Sequence, residues 1–595
     1  MACLECRRRR IRCDGARPKC HHCARLSKHC EYAVCELPRG PKRRSVRELA
    51  ERLATVEAQL KNAIPLQRAD PALNAFNSPA DFAIDLSDIQ GSDRADLTWS
   101  FPEEFNVNNV TADFPLITES PGWLDTSNAN IPPITLDSQT LLDKGQHPNL
   151  REVQELTNLF FDEVHPCMPF VHPAKHNYPQ FVGLNDQPPL CLEYAMWSLA
   201  ASRSPKYEDR AQAYYRNARL HLEHDEMQDG GLGITTLAHL QAWILVTCFE
   251  CENATPARAW MSNRRSIALS NMLGLHQQDS PKDGKYKMLK PPVDTAEAEE
   301  RRRTFWYLYI CDRWASAGTG NSVAISEDEI STLLPTLDNT FLHHASERAR
   351  TLEEAASNGL NPTESSLTAA VLAGRLLDQV TQHLRQVKIE AADPGHKHYW
   401  LRHQQLDNTI TKFLLHLPDH IRSENTRDPL AFFVNMCIHE FTISLFQAAT
   451  SFAQRGSPKS NILALLRSRA HRAADEIVSI MRTQSFMSLR RMSAFTPSCL
   501  YVAATVFIND VNQGNEVEYA IETIRFLLHT ISLFRRFYKT AQMFVAQLLL
   551  ALRQSRVDLE FSAAERASML ELPPKGIDFD TMGLLFSTDT LLTSK

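Results

Sequence analysis

The chain has 595 residues, of which 43% are hydrophobic and 23% are charged, and its formal net charge at pH 7 is −6. This is the composition of a globular protein with several domains, and glycine, at 20 residues, has about half its usual frequency, which argues against an all-β fold with many tight turns. No apolar run approaches the roughly 18 residues that span a bilayer, so the sequence predicts no membrane partner.

Six cysteines at the start of the chain form two halves with the same spacing, C-x2-C-x6-C, separated by six residues. They are Cys3, Cys6, Cys13, Cys20, Cys23 and Cys30. Zinc takes four thiolates in a tetrahedron, so six cysteines hold two Zn²⁺ ions when two of them bridge both metals. The alternatives are a structural zinc knuckle and a disulfide framework, and disulfides need an oxidising compartment, for which no signal peptide is visible. The spacing therefore predicts a centre of two zinc ions.

Basic residues are concentrated between the second and the third cysteine. Five arginines lie within six positions there: Arg7, Arg8, Arg9, Arg10 and Arg12. A guanidinium fork matches phosphates and the O6 and N7 edge of guanine. Residues 1–47 carry 14 Lys and Arg against 4 Asp and Glu, a net charge of +10 (14 − 4). This charge predicts an interface for double-stranded DNA.

The stretch Cys3–Cys23 resembles the fungal zinc binuclear cluster (Zn2Cys6) transcription factors in its cysteines, its arginines and Pro18. The resemblance implies a DNA-binding domain over residues 1–33, in a nuclear activator of RNA polymerase II genes that reads CGG-type half-sites. It also implies how the two zinc ions share the thiolates: Cys3 and Cys20 bridge both ions, Cys6 and Cys13 complete one site, and Cys23 and Cys30 complete the other.

The same resemblance implies roles for four arginines. Arg10 lies where the family usually has the lysine that reads the bases, and an arginine can also contact guanine with two hydrogen bonds. Arg7, Arg9 and Arg12 would hold phosphates or flank the base contact.

Residues 34–64 are predicted to form a basic linker followed by a short coiled coil. The linker includes Lys42, Arg43 and Arg44, which suit nuclear import or phosphate contact. Apolar residues then recur at alternating spacings of three and four, as in the seam of a dimer: Val46, Leu49, Leu53, Val56 and Leu60. The seam spans about two heptads, and so short a helix has only marginal stability by itself. The sequence predicts a homodimer through residues 46–60, and the alternative is an amphipathic helix packed on its own domain.

The chain then becomes acidic, and residues 65–148 are predicted to form a disordered linker. Residues 70–143 carry 13 Asp and Glu against Arg94, a net charge of −12 (1 − 13), and they show no sustained period. Acidic segments with interspersed apolar residues, 81–86 and 99–105, suit activation segments that bind coactivators. The alternative is a plain acidic linker.

From about residue 149 the pattern predicts a large all-α helical domain, so the fold class is mostly α. Val153, Leu156, Phe160 and Val164 fall on one helical face. Long amphipathic runs follow at 236–250, 256–275, 298–317, 366–391, 430–450, 460–483 and 519–553. The predicted domains are residues 149–345 and a C-terminal helical region, residues 346–595.

Three segments of the first of these domains resemble the fungal-specific transcription factor regulatory domain: residues 160–172, 260–276 and 300–325. Gly274 suits the left-handed position that follows a helix. Asn263 and Asn321 depart from the family pattern. The three consecutive arginines Arg301, Arg302 and Arg303 are expected to pair with acidic residues across helices.

No catalytic pattern emerges, and we expect no enzyme. Cys248 and Cys251 form a C-x-x-C without the strand context of a redox motif, and they are predicted to be ordinary buried thiols. His221, His224 and Asp225 fall on one helical turn, where solvated side chains are the common case. The leading interpretation is a DNA-binding transcription regulator. The alternative is a zinc-dependent protein-interaction or metabolite-sensing regulator in which the helical domain is the main effector.

Overall fold

The structure is a computed structural model that describes residues 3, 6, 13–26, 29–30, 147–176, 188–280, 288–337, 349–390, 397–422, 426–455, 460–484 and 487–555. The chain divides into two compact units, residues 1–130 and 131–595. The predicted dimer seam, residues 46–60, and residues 65–146 of the predicted acidic linker lie outside the described residues.

The described residues contain helices and no β-strand, as the predicted fold class requires. The first unit contains the short helix α1 (His21–Arg25). The first helices of the second unit are α2 (Leu150–Leu159), α3 (Leu190–Ser202), α4 (Glu208–Met227), α5 (Leu237–Glu252), α6 (Pro256–Leu273) and α7 (Thr295–Thr319).

The later helices of the second unit, which begin after residue 350, are α8 (Leu352–Asn358), α9 (Ser366–Glu390), α10 (Lys397–Leu415), α11 (Asp419–Arg422), α12 (Pro429–Gln454), α13 (Ser460–Thr483), α14 (Thr496–Gln513), α15 (Val517–Phe534) and α16 (Thr540–Gln554).

Helix α2 shows how local sequence sets a helix start and a buried face. The Asn149 side chain accepts a hydrogen bond from the Glu152 amide, and the Glu152 carboxylate accepts one from the Asn149 amide, which is a capping box. The predicted apolar stripe is buried, with each side chain at most 4% exposed: Val153, Leu156, Phe160 and Val164. The prediction for this face is confirmed.

Helix α6 ends at a residue that the sequence identified. Gly274 follows the helix with a φ of +71°. Glycine adopts this left-handed conformation with less steric strain than other residues do. Its amide donates to the Asn271 carbonyl oxygen at 3.1 Å. This closes the helix and confirms the predicted role of Gly274.

The predicted run 519–553 was wrong as a single element, because the structure has two helices there, α15 and α16. After Phe534 the chain turns, and the amides of Phe537 and Tyr538 both donate to the Phe534 carbonyl oxygen at 2.9 Å. Tyr538 is buried, and its hydroxyl donates to the Met492 carbonyl oxygen. The contact between Tyr538 and Met492 joins residues far apart in the chain, so the local sequence pattern does not show it. It lies at the break between α15 and α16. The other predicted runs each coincide with one helix.

Helix α3 was not predicted, because it has no polar face to create a period. Ten of its thirteen residues are buried, from Cys191 to Ala201 with Glu193 the exception. It packs against α4, α5 and α2. A helix surrounded on all sides shows no amphipathic stripe, so periodicity alone does not reveal it. Helices α4, α10 and α14 were likewise not among the predicted runs.

A single cluster of buried apolar side chains connects the second unit, from Val153 to Leu552. Helix α7 packs against α9, and α9 packs against α12, so helices on both sides of residue 345 share this core. The predicted domain boundary at that residue therefore marks no gap in the packing.

Helix α12 is long and strongly apolar, and it departs from an expectation. Its 26 residues, with a window of mean hydropathy 1.4, are long and apolar enough to cross a membrane, although the sequence pattern predicted no run of that kind. In the structure 89% of that window is buried against other helices, notably α13, α9 and α14. The core helix of a folded domain passes the same test of length and composition.

Candidate metal centre and nucleic-acid interface

The six cysteine sulfurs of the first unit form two overlapping groups. In each group the four Sγ atoms lie within 4.8 Å of one another. The first group is Cys3, Cys6, Cys13 and Cys20, and the second is Cys3, Cys20, Cys23 and Cys30. The two groups share Cys3 and Cys20, which are the cysteines that the family resemblance implies as bridges.

The distances between sulfurs match zinc coordination. Three Sγ–Sγ distances within these groups, Cys3–Cys20, Cys3–Cys23 and Cys6–Cys20, range from 3.6 to 3.8 Å. Sulfurs at about 2.3 Å from a tetrahedral zinc lie about 3.8 Å apart. A disulfide would bring two sulfurs to about 2.05 Å, and the thirteen described cysteines are all free. The residues therefore fit two Zn²⁺ ions.

The two halves of the cysteine repeat use the same backbone contact. The Cys6 amide donates to Cys3 Sγ at 3.4 Å, and the Cys23 amide donates to Cys20 Sγ at 3.4 Å. A backbone N–H that donates to a sulfur favours the thiolate, which is the form that binds metal, and both halves have this contact. Cys20 is also the residue that caps helix α1. The repeat in sequence thus corresponds to a repeat in hydrogen bonding.

The segment between the halves is tied back to the second half by an acidic residue. The Asp14 carboxylate accepts hydrogen bonds from the His21 amide at 3.2 Å and from the His21 ring, and the ring contact lowers the pKa of Asp14. Pro18, the predicted loop proline, follows a cis peptide bond. Lys19 and Arg25 are exposed on this part of the module. The sequence-based prediction of DNA contacts was confined to the arginine run, although Lys19 and Arg25 contribute to the net charge of residues 1–47.

The predicted DNA-contacting residues Arg7, Arg9, Arg10 and Arg12 lie outside the described residues. Their roles stay predictions that follow from the sequence and the resemblance. The structure describes the metal-binding framework on either side of them, at Cys6 and Cys13.

The arginine run of helix α7 is engaged with acidic residues. Arg301 pairs with Glu297 one turn earlier on the same helix at 2.6 Å. Arg302 pairs with Asp279, which precedes the helix, at 2.5 Å. Arg303 is 1% exposed and pairs with Glu299 at 3.0 Å. Pairing with acids was therefore predicted correctly, but two of the partners lie on the same helix instead of a neighbouring one.

The remaining candidate clusters of the sequence have ordinary packing roles. Burial raises the pKa of Cys251, and the pKa of Cys248 is raised by the neighbouring Cys311 thiol and by burial. Both cysteines are free thiols; Cys248 is buried as predicted, whereas Cys251 is partly exposed. The trio on helix α4 is not a site: His221 stacks on Tyr194 at 5.6 Å, His224 is exposed, and Asp225 pairs with His239 at 3.1 Å.

Comparisons with known proteins agree with this geometry. The profile of the fungal Zn(2)-Cys(6) binuclear cluster domain matches residues 1–36, and that of the fungal specific transcription factor domain matches residues 157–405. The second match extends beyond residue 325, the end of the last segment that carried the resemblance in the sequence.

Several curated proteins are similar over most of the chain. The citrinin biosynthesis transcriptional activator ctnR of Monascus purpureus is 27% identical over 533 residues, which cover 87% of each chain. The pigment biosynthesis transcriptional activator pigB of Monascus ruber is 26% identical, covering 84% of this chain and 86% of that protein. The sorbicillinoid biosynthetic cluster transcription factor 1 of Penicillium rubens is 26% identical over 85% of each. No solved structure matches the chain.

Proposed function

Because the chain belongs to the fungal zinc binuclear cluster transcription factors, we propose that it activates a set of biosynthetic genes by binding paired CGG-type half-sites in the nucleus as a homodimer. The two matching domains and the similar activators support the general part of this proposal, that the protein is a DNA-binding transcription regulator. The observation on which it rests is the pair of cysteine groups that share Cys3 and Cys20. The target genes are inferred from the names of the similar proteins, several of which regulate biosynthesis.

The chemistry of DNA binding follows from charge placed on a small metal-bound framework. Two zinc ions and six thiolates sum to a charge of about −2, which stabilises guanidinium groups nearby. Arg10 would read guanine, and Arg7, Arg9 and Arg12 would hold phosphates. The exposed Lys19 and Arg25 extend the basic surface on the second half. A regulator that bound only other proteins would have no need of five arginines in six positions.

Substitution of single arginines tests direct reading of the bases. Arg10→Ala should reduce discrimination between specific and scrambled sites by about 1–3 kcal/mol, whereas Arg7→Ala should weaken binding to both alike and lower the salt slope by about one. A mobility-shift titration at two salt concentrations separates these effects. The proposed assignment fails if both variants lose only non-specific affinity.

The dimer is tested through its seam. Leu53→Asp places a charge among apolar residues of a contact of about two heptads, which has little stability to spare. The variant should lose cooperative binding to paired half-sites and keep binding to a single half-site. Ala58→Asp, which lies off the seam and adds the same single negative charge, serves as the control. Unchanged cooperativity in Leu53→Asp would favour the alternative, a monomer whose helix packs on its own domain.

Genome occupancy and localisation test the cellular part of the proposal. The tagged protein should accumulate in the nucleus and occupy promoters that carry CGG half-sites, and deletion of its gene should lower the transcripts of those promoters. Substitution of Lys42, Arg43 and Arg44 by Ala should reduce nuclear accumulation if this segment serves import. Transcripts that rise after deletion would identify a repressor instead.

A further inference from the structure

A cavity of about 180 Å³ lies inside the second unit, where helices α5, α6 and α7 meet α12, α16 and the turn at residues 489–495. Its wall is mainly apolar, and seven aromatic side chains contribute to it: Trp260, Tyr307, Trp314, Phe433, Phe495, Tyr538 and Phe544. The Trp314 ring lies 5.4 Å from the Phe433 ring and 5.9 Å from the Phe495 ring, measured between centroids. An apolar cavity lined with aromatic rings and a few polar groups is typical of a small-molecule site.

The polar atoms around this cavity are unusual because many of them have no partner. Six side-chain nitrogen and oxygen atoms of lining residues are buried without a hydrogen bond to any described residue. They are Glu163 Oε2, Arg203 Nε, Trp260 Nε1, Arg490 Nε, Arg491 Nε and Thr540 Oγ1. Buried polar atoms in native proteins are normally paired, and an unpaired one lowers stability. The clustering of these unpaired atoms around one cavity indicates that a bound molecule supplies their hydrogen-bond partners.

The charges that line the cavity favour an anion. Three arginines and two glutamates line it, a formal charge of +1 (3 − 2): Arg203, Arg490, Arg491, Glu163 and Glu252. Arg203 and Glu252 are paired by two hydrogen bonds of 2.6 and 2.9 Å and are at most 3% exposed. Arg491 forms no ion pair with the described residues, and its guanidinium is therefore available to a ligand.

Four free thiols also line the cavity: Cys167, Cys248, Cys251 and Cys311. Burial raises the pKa of Cys167 to about 12, and its Sγ donates to the Arg491 carbonyl oxygen at 3.0 Å. The pKa values of Cys248 and Cys251 are also raised. Neutral thiols are weak nucleophiles, so these four side chains contribute apolar, polarisable surface to the cavity and are not sites of covalent attachment.

We infer that this cavity binds one small aromatic molecule with a single acidic group, held non-covalently between the aromatic rings and the guanidinium of Arg491. A dry cavity of about 150 Å³ holds benzene, so the volume here suits one ring, or two fused rings with small side-chain movements. The ligand would contact helices from both sides of residue 345 and would stabilise their packing by mass action. The inference does not depend on which genes the protein regulates.

The first test measures binding of 1-naphthoate and of its neutral analogue 1-naphthylmethanol to the zinc-loaded full-length chain by calorimetry. We expect one saturable site for 1-naphthoate and a weaker one for the alcohol. Arg491→Gln should weaken naphthoate binding at least tenfold and change alcohol binding less than twofold. Arg525→Gln, at an exposed position of helix α15 away from the cavity, is the matched control and should change neither.

The second test fills the cavity. Ala315 on helix α7 lines it, and Ala315→Leu should abolish binding of both probes while the thermal unfolding transition of the helical unit is kept or raised. The inference is overturned if 1-naphthoate and salicylate both fail to bind below millimolar concentration. It is also overturned if Arg491→Gln leaves naphthoate binding unchanged, a result that needs no change in the core and stands even if Ala315→Leu does not fold.

Discussion

Cysteines occur in both units of this protein, but they hold the chain together in different ways. In the described part of the first unit the buried core consists of cysteines alone, and Cys3, Cys6 and Cys20 are 0% exposed without apolar neighbours. In the second unit Cys437 and Cys499 are equally buried, but within an apolar cluster that runs through the whole helical domain. The same side chain is thus a metal ligand in one unit and a small apolar residue in the other. The fold of the first unit depends on zinc, and that of the second depends on apolar burial.

Removal of zinc should give the largest difference between the units. The binding of structural zinc supplies about 10–16 kcal/mol in small zinc modules, and the first unit has no apolar core to replace it in its described part. A strong chelator should therefore unfold residues 3–30 and leave the helical unit intact. Hydrogen exchange before and after chelation, with metal analysis showing two zinc ions per chain, checks this. A stoichiometry of one would contradict the shared-thiolate arrangement.

Single cysteine substitutions sharpen the same contrast. Cys20 belongs to both sulfur groups, so Cys20→Ser should release both zinc ions and abolish DNA binding. Cys437→Ala should keep both ions and lower the free energy of unfolding of the helical unit by about 1 kcal/mol, because it removes a buried sulfur and leaves a small gap in the core. Metal analysis and thermal unfolding measure the two effects. Retention of one zinc by Cys20→Ser would show that the ions do not share this ligand.

The two units should respond to pH in opposite directions. Acid protonates the thiolates and releases zinc from the first unit. In the second unit burial raises the pKa of Glu440 from 4.5 to about 7. The stabilising contribution of this carboxyl is fully present below pH 4.5 and is lost as the pH rises through about 7, a loss of up to about 3 kcal/mol.

The variant Glu440→Gln isolates the pH effect, because it keeps a neutral side chain at every pH. Its free energy of unfolding should change less between pH 5 and pH 8 than that of the parent protein. At pH 8 the variant should be more stable than the parent. Glu518→Gln, at an exposed position, is the matched control. Chemical denaturation at several pH values measures this, and equal pH slopes for the parent and Glu440→Gln would contradict the role assigned to burial.

The smallest expected effect is also in the helical unit, and its stability contribution changes with pH in the same direction as that of Glu440. The Asp510 carboxylate accepts a hydrogen bond from His471 Nδ1 at 2.7 Å, which raises the pKa of His471 above 6.5. The pair therefore stabilises the fold fully below pH 6.5, and the effect is lost as the pH rises through the raised pKa. Because His471 is 29% exposed, Asp510→Asn should cost no more than about 1 kcal/mol at pH 6 and less at pH 9. An equal loss of stability at both pH values would indicate that Asp510 stabilises the fold through packing and not through its charge.

The sequence predicted the metal centre better than the cavity, and distance along the chain explains why. All six zinc ligands lie within 28 residues, so their spacing alone defines the site. The cavity joins residues from Glu163 to Phe544, and no local pattern connects them. Among helices, amphipathic runs such as α13 were predicted from their period. Helix α3 was missed because nearly all its sides are buried, and the break before α16 was missed because it accompanies the contact between Tyr538 and Met492.

Helix α12 has a consequence for how the protein is made. Its principal partners are α9, which precedes it, and α13 and α14, which follow it along the chain. A growing chain that has reached Gln454 therefore presents an apolar surface whose cover, as far as residue 513, has not yet been synthesised. Translation that pauses in this interval exposes a surface prone to aggregation. Fragments for expression should accordingly end after α14, and a fragment that ends near residue 455 is expected to be insoluble.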